Sequence, residues 1–524
     1  MTGVGTLLRA FVRRDRWMVL WFTLGVTVLY WSQAASVDGL YQTQAEFDRA
    51  AASMADNAAF IAMTGPPRAL NTTGGQVTWQ AAAFGSILVG LMVMFLVGRH
   101  TRAEEESGRD ELLRSGVVGR RAPMTTALLV AGLASAVVGA GVTASLVGYG
   151  LATAGAVSLG LGLWLCGLAF AGVALLAAQL TSSTRAMYGI TGAAIGVAYG
   201  LRAVGDVGNG VLSWLSPIGW YQAMHAYSGE RWWPALLLAA AAFVAGATAY
   251  AVFDRRDVGA GLWAARPGPA RAPVGLRSGL GLAWRLQRGS LVGWAAGLFV
   301  GGIAFGSIGD DVEDLLGDSG YAQDVFGAGG PDLVDSFYAA SALMLALIAG
   351  GYAISSALRP RGEETDGRVE SLLATALPRG RWLAGHLAIT AVGSAVVVVL
   401  AGLGMGLGYA LVTGDGGDLA PYTWATTSLL PAVLLLAGLA VLLYGVVPRA
   451  AALAWIALLF CVVVMMFGEP LRFPGWVEAI SPFDHLASVP AEPVGWGAAL
   501  VVLLIGLAAG GAGYLGFLRR DVRT

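Results

Sequence analysis

The 524-residue chain contains no lysine, because its 32 basic residues are all arginine. A P-loop ATPase needs the lysine of its GxxxxGK[ST] motif to reach the β- and γ-phosphates, and a protein kinase needs the lysine of its third strand. A Schiff base with a substrate carbonyl needs a lysine amine as well. The sequence therefore excludes ATP hydrolysis by a P-loop within this chain, together with both lysine-dependent enzyme classes.

Charged residues, cysteine and histidine are also scarce. Charged residues make up 12% of the chain and hydrophobic residues 56%, whereas an ordinary soluble domain has about 25% charged residues. The two cysteines lie in apolar runs and the four histidines lack the spacing of metal ligands, so we expect no disulfide, no metal site and no cofactor in this chain. The net charge of −1 predicts no nucleic-acid partner.

Long apolar runs predict an all-α membrane protein with twelve transmembrane helices. A helix needs about 20 apolar residues to span a bilayer, and one hydrophobic core cannot account for so many apolar residues, because cores stop growing at about 250–300 residues. The predicted spans lie near residues 17–35, 79–98, 123–152, 157–180, 186–204, 233–253, 289–308, 336–357, 382–412, 424–446, 450–467 and 494–517.

Short motifs recur between the first six runs and the last six at a nearly constant spacing. Arg109 corresponds to Arg368 at an offset of 259 residues (368 − 109). The sequence FDRRDV at residues 253–258 corresponds to FLRRDV at residues 517–522, at an offset of 264 residues (517 − 253). A steady offset with retained motifs indicates a tandem duplication. Because each copy has an even number of spans, the two six-helix repeats are predicted to be parallel.

The duplication and the arginines together predict the domains and the orientation. We expect a first six-span half at residues 1–258, a cytoplasmic linker at 259–277 and a second six-span half at 278–524. With the N-terminus inside, 27 arginines fall in inner segments and 5 in outer segments. The positive-inside rule then places both termini in the cytoplasm. The all-arginine usage, with abundant alanine and glycine, indicates a bacterial cell membrane.

Two polar loops interrupt the apolar runs at equivalent places in the two copies. Loop 1 (residues 99–121) reads RHTRAEEESGRDELLRSGVVGRR, and loop 2 (residues 359–381) reads RPRGEETDGRVESLLATALPRGR. Both contain the pattern E-E-x-x-G-R-x-E. Thr101 and Glu104 have the spacing of a capping box, which predicts a helix start, and the glycine of the pattern is expected to break the helix. A solvated charge run that only fixes topology is the alternative, but retention in both copies favours a docking role.

The loops and the span count resemble a known transporter family. A glutamate pair followed by Gly-Arg, between the second and third of six spans, resembles the permease of ABC-2 type exporters. The fused twelve-span form is similar to antibiotic and multidrug efflux permeases of the tetronasin-resistance type. The resemblance implies export of hydrophobic or amphipathic compounds, driven by two copies of a separate ABC ATP-binding protein that holds ATP and Mg²⁺. It also implies that the following residues contact that protein: Glu104, Glu105, Gly108, Arg109, Glu111, Glu363, Glu364, Gly367, Arg368 and Glu370.

This docking role sets expectations for the glutamates. We expect Glu105 and Glu364 to be accessible to solvent, so that charge reversal there releases the ATPase without loss of folding. Residues 106–107 are Glu-Ser and residues 365–366 are Thr-Asp, so the two contacts are expected to be unequal.

Three other functional classes share some of these sequence features. A proton-driven secondary multidrug transporter also has two six-span halves, but the predicted spans contain no Asp, Glu or Arg well inside, where an ion relay would need one. A non-transporting membrane scaffold or sensor would also be served by a duplication with two docking loops. A membrane enzyme is disfavoured, because the sequence shows no nucleophilic set, no paired acid site and no metal cluster at a membrane edge.

Overall fold

The chain is helical, and most of its helices are long and apolar. The computed structural model describes residues 2–40, 43–55, 58–257, 261–263, 270–271, 273–308, 333–414, 416–467 and 473–521. Within these ranges the regular secondary structure is helical throughout. Eleven helices of the described ranges are long and apolar enough to cross a membrane. Large apolar side chains on their outer faces, such as Leu236, Phe243 and Val292, are exposed, as lipid-facing side chains are.

The chain divides into two compact units, Met1–Gly268 and Pro269–Thr524. The boundary lies within the segment predicted to be the linker, residues 259–277. Of that segment, residues 259–260, 264–269 and 272 lie outside the described ranges. The predicted domain limits stay a prediction at residue level.

Unit 1 is built around four long helices that pack against one another. Its α-helices are α1 Val4–Leu40, α2 Gln44–Ala55, α3 Ala58–Thr64, α4 Thr73–His100, α5 Arg102–Glu106, α6 Arg109–Arg114, α7 Ala122–Tyr149, α8 Thr153–Leu180, α9 Thr184–Val207, α10 Pro217–Gln222 and α11 Pro234–Phe253. Helix α7 packs against α1 and α8, α4 packs against α1 and α8, and α11 packs against α8. The core of the unit therefore lies between α1, α4, α7 and α8.

Unit 2 repeats this arrangement. Its α-helices are α12 Gly279–Gly306, α13 Leu333–Ala357, α14 Arg359–Thr365, α15 Arg368–Leu373, α16 Arg379–Thr413, α17 Leu419–Thr427, α18 Leu430–Val446, α19 Leu453–Phe467, α20 Gly475–Glu478 and α21 Trp496–Arg519. Helix α16 packs against α12 and α17, α13 packs against α12 and α18, and α21 packs against α18. The same helix pairs meet in both units, in agreement with the predicted tandem repeat.

Several helices differ from their predicted spans. Helix α12 begins at Gly279, before the predicted span 289–308, and the predicted span 424–446 consists of two consecutive helices, α17 and α18. Helix α1 is one continuous helix of 37 residues, so it extends well beyond the predicted span 17–35 at its N-terminal end.

Helix α9 has 24 residues, or about 36 Å at 1.5 Å per residue, but it is not among the eleven apolar helices. It carries Arg202 and Asp206, which form a buried ion pair of 3.5 Å. The twelfth span therefore stays a prediction.

Glycine-to-glycine contacts hold α18 and α21 together. A Cβ atom added at Gly445 would overlap the carbonyl oxygen of Gly513, and one added at Gly438 would overlap that of Gly506. Backbones approach this closely only where neither helix has a side chain, which is a common way for membrane helices to pack. The two helices therefore meet backbone to backbone along this seam.

Replacing Gly445 by valine is expected to push α18 away from α21. Overpacking a well-packed interior costs about 1–3 kcal/mol, and here a backbone rather than a side chain stands in the way. Thermal unfolding of the purified protein in detergent measures the loss. Gly511→Val on α21 is the matched control, because a Cβ there meets nothing within 4 Å. Equal melting temperatures for the two variants would contradict the close packing.

The two cysteines are both buried, one in each unit. Cys166 lies in α8, and Cys461 lies in α19. Each belongs to the hydrophobic core of its own unit.

Candidate functional site

Each polar loop consists of two short helices separated by a glycine. In loop 1, Gly108 joins α5 to α6 with φ +73°, and in loop 2, Gly367 joins α14 to α15 with φ +70°. A side chain disfavours this left-handed conformation, and glycine does not. The predicted break of the helix at the glycine of the pattern is therefore confirmed in both loops.

The start of α5 differs from the predicted capping box. The helix begins at Arg102, directly after Thr101, as expected. The Thr101 hydroxyl, however, donates to the carbonyl oxygen of Val97 at 2.6 Å and makes no cap to α5. The preceding helix α4 runs to His100, so the threonine bonds back to its last turn instead.

Six of the ten predicted contact residues are exposed on the outer face of the loops. The side chain of Arg109 is 62% exposed and that of Arg368 is 57% exposed. The exposed set, three residues from each loop, is Gly108, Arg109, Glu111, Gly367, Arg368 and Glu370. We call these residues the outer loop faces.

The four paired glutamates point the other way. Glu104 and Glu363 are buried, and the side chains of Glu105 and Glu364 are only 9% and 10% exposed. The prediction that Glu105 and Glu364 are accessible to solvent is therefore wrong. A buried carboxylate is expensive unless it is paired and hydrogen-bonded, and each of these four has an arginine partner.

In loop 1, the glutamates are held by arginines from three parts of unit 1. Glu105 lies between Arg102 of its own helix, at 2.8 Å, and Arg256 just beyond the end of α11, at 2.6 Å. Glu104 pairs with Arg14 of α1. The long N-terminal extension of α1 is what brings Arg14 to this loop.

In loop 2, the corresponding glutamates are held by a related set. Glu364 pairs with Arg520, just beyond the end of α21, through two bonds of 2.7 and 2.6 Å, and it accepts a hydrogen bond of 2.7 Å from the hydroxyl of Tyr444. Glu363 pairs within its own loop, with Arg359 at 2.6 Å and Arg368 at 3.3 Å. Burial alone would lower the pKa of Arg520, but the hydrogen bonds and charge of Glu364 outweigh it and raise that pKa above its ordinary value.

Retention of the glutamate pair therefore has a structural cause that sequence reasoning missed. Its partners Arg256 and Arg520 are the second arginines of the repeated FDRRDV and FLRRDV sequences, which served above only as markers of the duplication. Two charged motifs retained together in both copies were the available signal for the pairing. The pairing also places each loop at the same end of its unit as the end of the last helix.

Comparison with known proteins identifies the family. Residues 276–518 match the family described as "Multidrug efflux system permease Rv1217c, C-terminal domain". The chain is 40% identical over 532 aligned positions to the "Multidrug efflux system permease protein Rv1217c" of Mycobacterium tuberculosis, with 100% of this chain and 96% of the relative covered. The chain is therefore a multi-pass membrane protein that belongs to the multidrug efflux permease family.

Proposed function

We propose that this chain is the membrane-spanning permease of an ATP-driven (ABC) exporter. Two copies of a separate ABC ATP-binding protein bind the outer loop faces, one copy on each loop, and hold the ATP and Mg²⁺. The loops and both termini lie on the cytoplasmic side of a bacterial cell membrane. Closure of the ATP-binding proteins moves the two halves and expels a hydrophobic or amphipathic compound such as an antibiotic.

The outer loop faces carry this proposal. Each presents an exposed arginine and an exposed glutamate on a short helix, and the helix before it is fixed by buried ion pairs. Exposed charges of both signs on a preformed surface give a partner specificity and orientation. A loop surface that passes a partner's movement to the membrane helices must also be anchored to those helices. The ion pairs of the buried glutamates provide this anchoring.

A cavity in unit 2 agrees with an amphipathic cargo. Its volume is about 570 Å³, within the range of about 300–1,000 Å³ for small-molecule pockets. Its wall combines apolar side chains, among them Leu343, Met465 and Phe483, with the carboxylates of Glu478 and Asp484. Such a lining suits a molecule with an apolar body and a polar or cationic group.

One observation favours the alternative of a proton-driven transporter. Asp15 is buried in contact with His100 in unit 1, and a buried acid beside a histidine is a usual part of a proton relay. Arg99 also pairs with Asp15, at 2.8 Å, so the same carboxyl group belongs to an ion pair of the kind that anchors the loops. The first helix of unit 2 instead buries the neutral Gln287, at 3.1 Å from His386.

Transport in inside-out proteoliposomes separates the two energy sources. The tagged chain is purified from its host, and an ATP-binding protein with a Walker motif is expected to co-purify at two copies per chain. The complex is expected to move a membrane-partitioning Hoechst dye into the lumen when ATP is added, both with and without an uncoupler. The chain alone is expected to hydrolyse no ATP. Dye movement that needs a proton gradient and ignores ATP would refute the proposal in favour of the alternative.

A further inference from the structure

Each half ends in the same short sequence, and its second arginine binds the neighbouring loop. The sequence is Phe-x-Arg-Arg-Asp, at residues 253–257 and 517–521. It begins within the last long helix of each unit, α11 or α21, and runs past the end of that helix. Because the pairing partner is a loop glutamate in both units, the end of the last helix and the loop are joined twice in the same way.

In unit 1, a two-pronged ion pair between Arg256 and Glu105 joins the end of α11 to the loop. We call this pair, and the pair of Arg520 with Glu364 in unit 2, the joint. Arg256 donates from Nη2 to Oε1 of Glu105 at 2.6 Å and from Nη1 to Oε2 at 3.2 Å. Its Nε donates to Oε1 of Gln179, on the last turn of α8, at 2.7 Å. The guanidinium also lies 5.4 Å from the centre of the Phe253 ring. The arginine is thus fixed in position and in orientation.

In unit 2, the joint has the same form with different supports. Both guanidinium nitrogens Nη1 and Nη2 of Arg520 bond the two oxygens of Glu364, as given above. The guanidinium lies 5.1 Å from the Phe517 ring centre and 5.0 Å from that of Tyr444. A planar fork on a carboxylate fixes direction as well as distance, so a displacement of the glutamate displaces the arginine.

A nearby exposed ion pair of unit 1 is not retained in unit 2. Asp254 pairs with Arg121 at the same end of α11, but their side chains are 38% and 51% exposed. The position equivalent to Asp254 in unit 2 is Leu518. Of these two neighbouring ion pairs, only the pair of the loop glutamate with the second arginine recurs in both copies.

Among the residues that the structure describes, the last helices have few other attachments. Helix α11 packs mainly against α8, and α21 mainly against α18. Their remaining faces expose large apolar side chains, among them Leu236, Phe243 and Leu507. A peripheral helix of this kind follows whatever holds its end. The loop glutamate holds that end together with an arginine of the same loop, Arg120 in unit 1 and Arg379 in unit 2.

We propose that the pairs Glu105–Arg256 and Glu364–Arg520 carry movement of each loop to the last helix of its half, which makes Arg256 and Arg520 positioning residues for transport. This inference rests on the proposed function, in which an ATP-binding partner supplies the movement. Because these ion pairs are largely withdrawn from water, water does not easily take the place of either partner. Each pair therefore stays intact while it carries the movement of the loop to the helix.

The cleanest test removes both charges of the joint in unit 2. In Glu364→Gln with Arg520→Gln no lone charge is left, whereas the same change in unit 1 would also remove the 2.8 Å pair between Glu105 and Arg102. The variant is expected to bind the ATP-binding protein and hydrolyse ATP as the unaltered complex does. Hoechst dye transported per ATP hydrolysed is expected to fall about tenfold, within the range of about 5–150-fold for coupling between two sites.

A matched control and a second variant keep the test decisive. Asp254→Asn removes the exposed pair at a last-helix end and is expected to keep the original ratio of transport to hydrolysis. If the double variant does not fold, Arg520→Lys, which keeps the charge and loses the fork, is expected to lower the ratio as well. An unchanged ratio in a folded variant overturns the inference, and so does loss of partner binding. If the unaltered complex itself shows no ATP-driven transport, the proposed function fails instead.

Discussion

Charge reversal at both Glu111 and Glu370 is expected to release the ATP-binding protein from a permease that still folds. Both residues are exposed and belong to the outer loop faces, and exposed substitutions usually change stability by within about 0.5 kcal/mol. Truncating a desolvated charge at an interface costs about 2–5 kcal/mol, so we expect binding of the partner to each altered loop to weaken at least about thirtyfold by the same estimate. Co-purification in detergent, followed by measurement of subunit stoichiometry, reads this directly.

The single variants sharpen the result. Glu111→Arg alone and Glu370→Arg alone are each expected to leave one ATP-binding protein bound, on the loop that is unchanged. Asp257→Arg and Asp521→Arg are matched controls, because these equivalent residues are also exposed and lie just beyond the last helices. Retention of two partners by the Glu111→Arg, Glu370→Arg double variant would show that the outer loop faces are not the docking surface.

Charge reversal at Glu364 is expected to prevent folding of unit 2 rather than to release a partner. Glu364→Arg sets a second guanidinium beside Arg520 at a site where the glutamate side chain is only 10% exposed. Breaking a buried ion pair costs about 3–5 kcal/mol, and the added repulsion raises that cost. The yield of monodisperse protein in size-exclusion chromatography, with thermal unfolding of what remains, measures the loss.

Glu370→Arg is the natural comparison, because it makes the same substitution six residues further along the same loop at an exposed position. It is expected to match the original protein in yield and melting temperature. A folded Glu364→Arg protein that has merely lost its partner would restore the sequence-based interpretation, in which Glu364 belongs to the docking surface.

The sequence was sufficient for the architecture because its signals are strong. Apolar runs of the length of a bilayer, separated by arginine-rich loops, predict helices and their order, and the Arg109 and Arg368 pattern indicates the repeat. The exception, α9, is a helix whose Arg202 and Asp206 form an ion pair in the interior. Hydropathy summed along a chain cannot detect a charge that folding neutralises.

The direction of the loop side chains could not be predicted in the same way. Glu105 and Glu111 lie in one polar stretch, and nothing in their order says that the first is buried and the second exposed. The difference depends on Arg256, which is 151 residues away in sequence and meets Glu105 only when α11 has returned to the loop end of unit 1. Contacts of that range come from tertiary packing, and spacing within a motif does not encode them.

Burial of the only two thiols gives the protein a pair of built-in reporters. Cys166 is fully buried, whereas Cys461 is 3% exposed and lies on the wall of the cavity in unit 2, and each belongs to a different half. A maleimide is therefore expected to modify Cys166 only after the surrounding helices separate, whereas modification of Cys461 also reports entry of the reagent into the cavity. Peptide mass spectrometry after brief labelling along a temperature ramp then gives the temperature at which each half opens, without any engineered label.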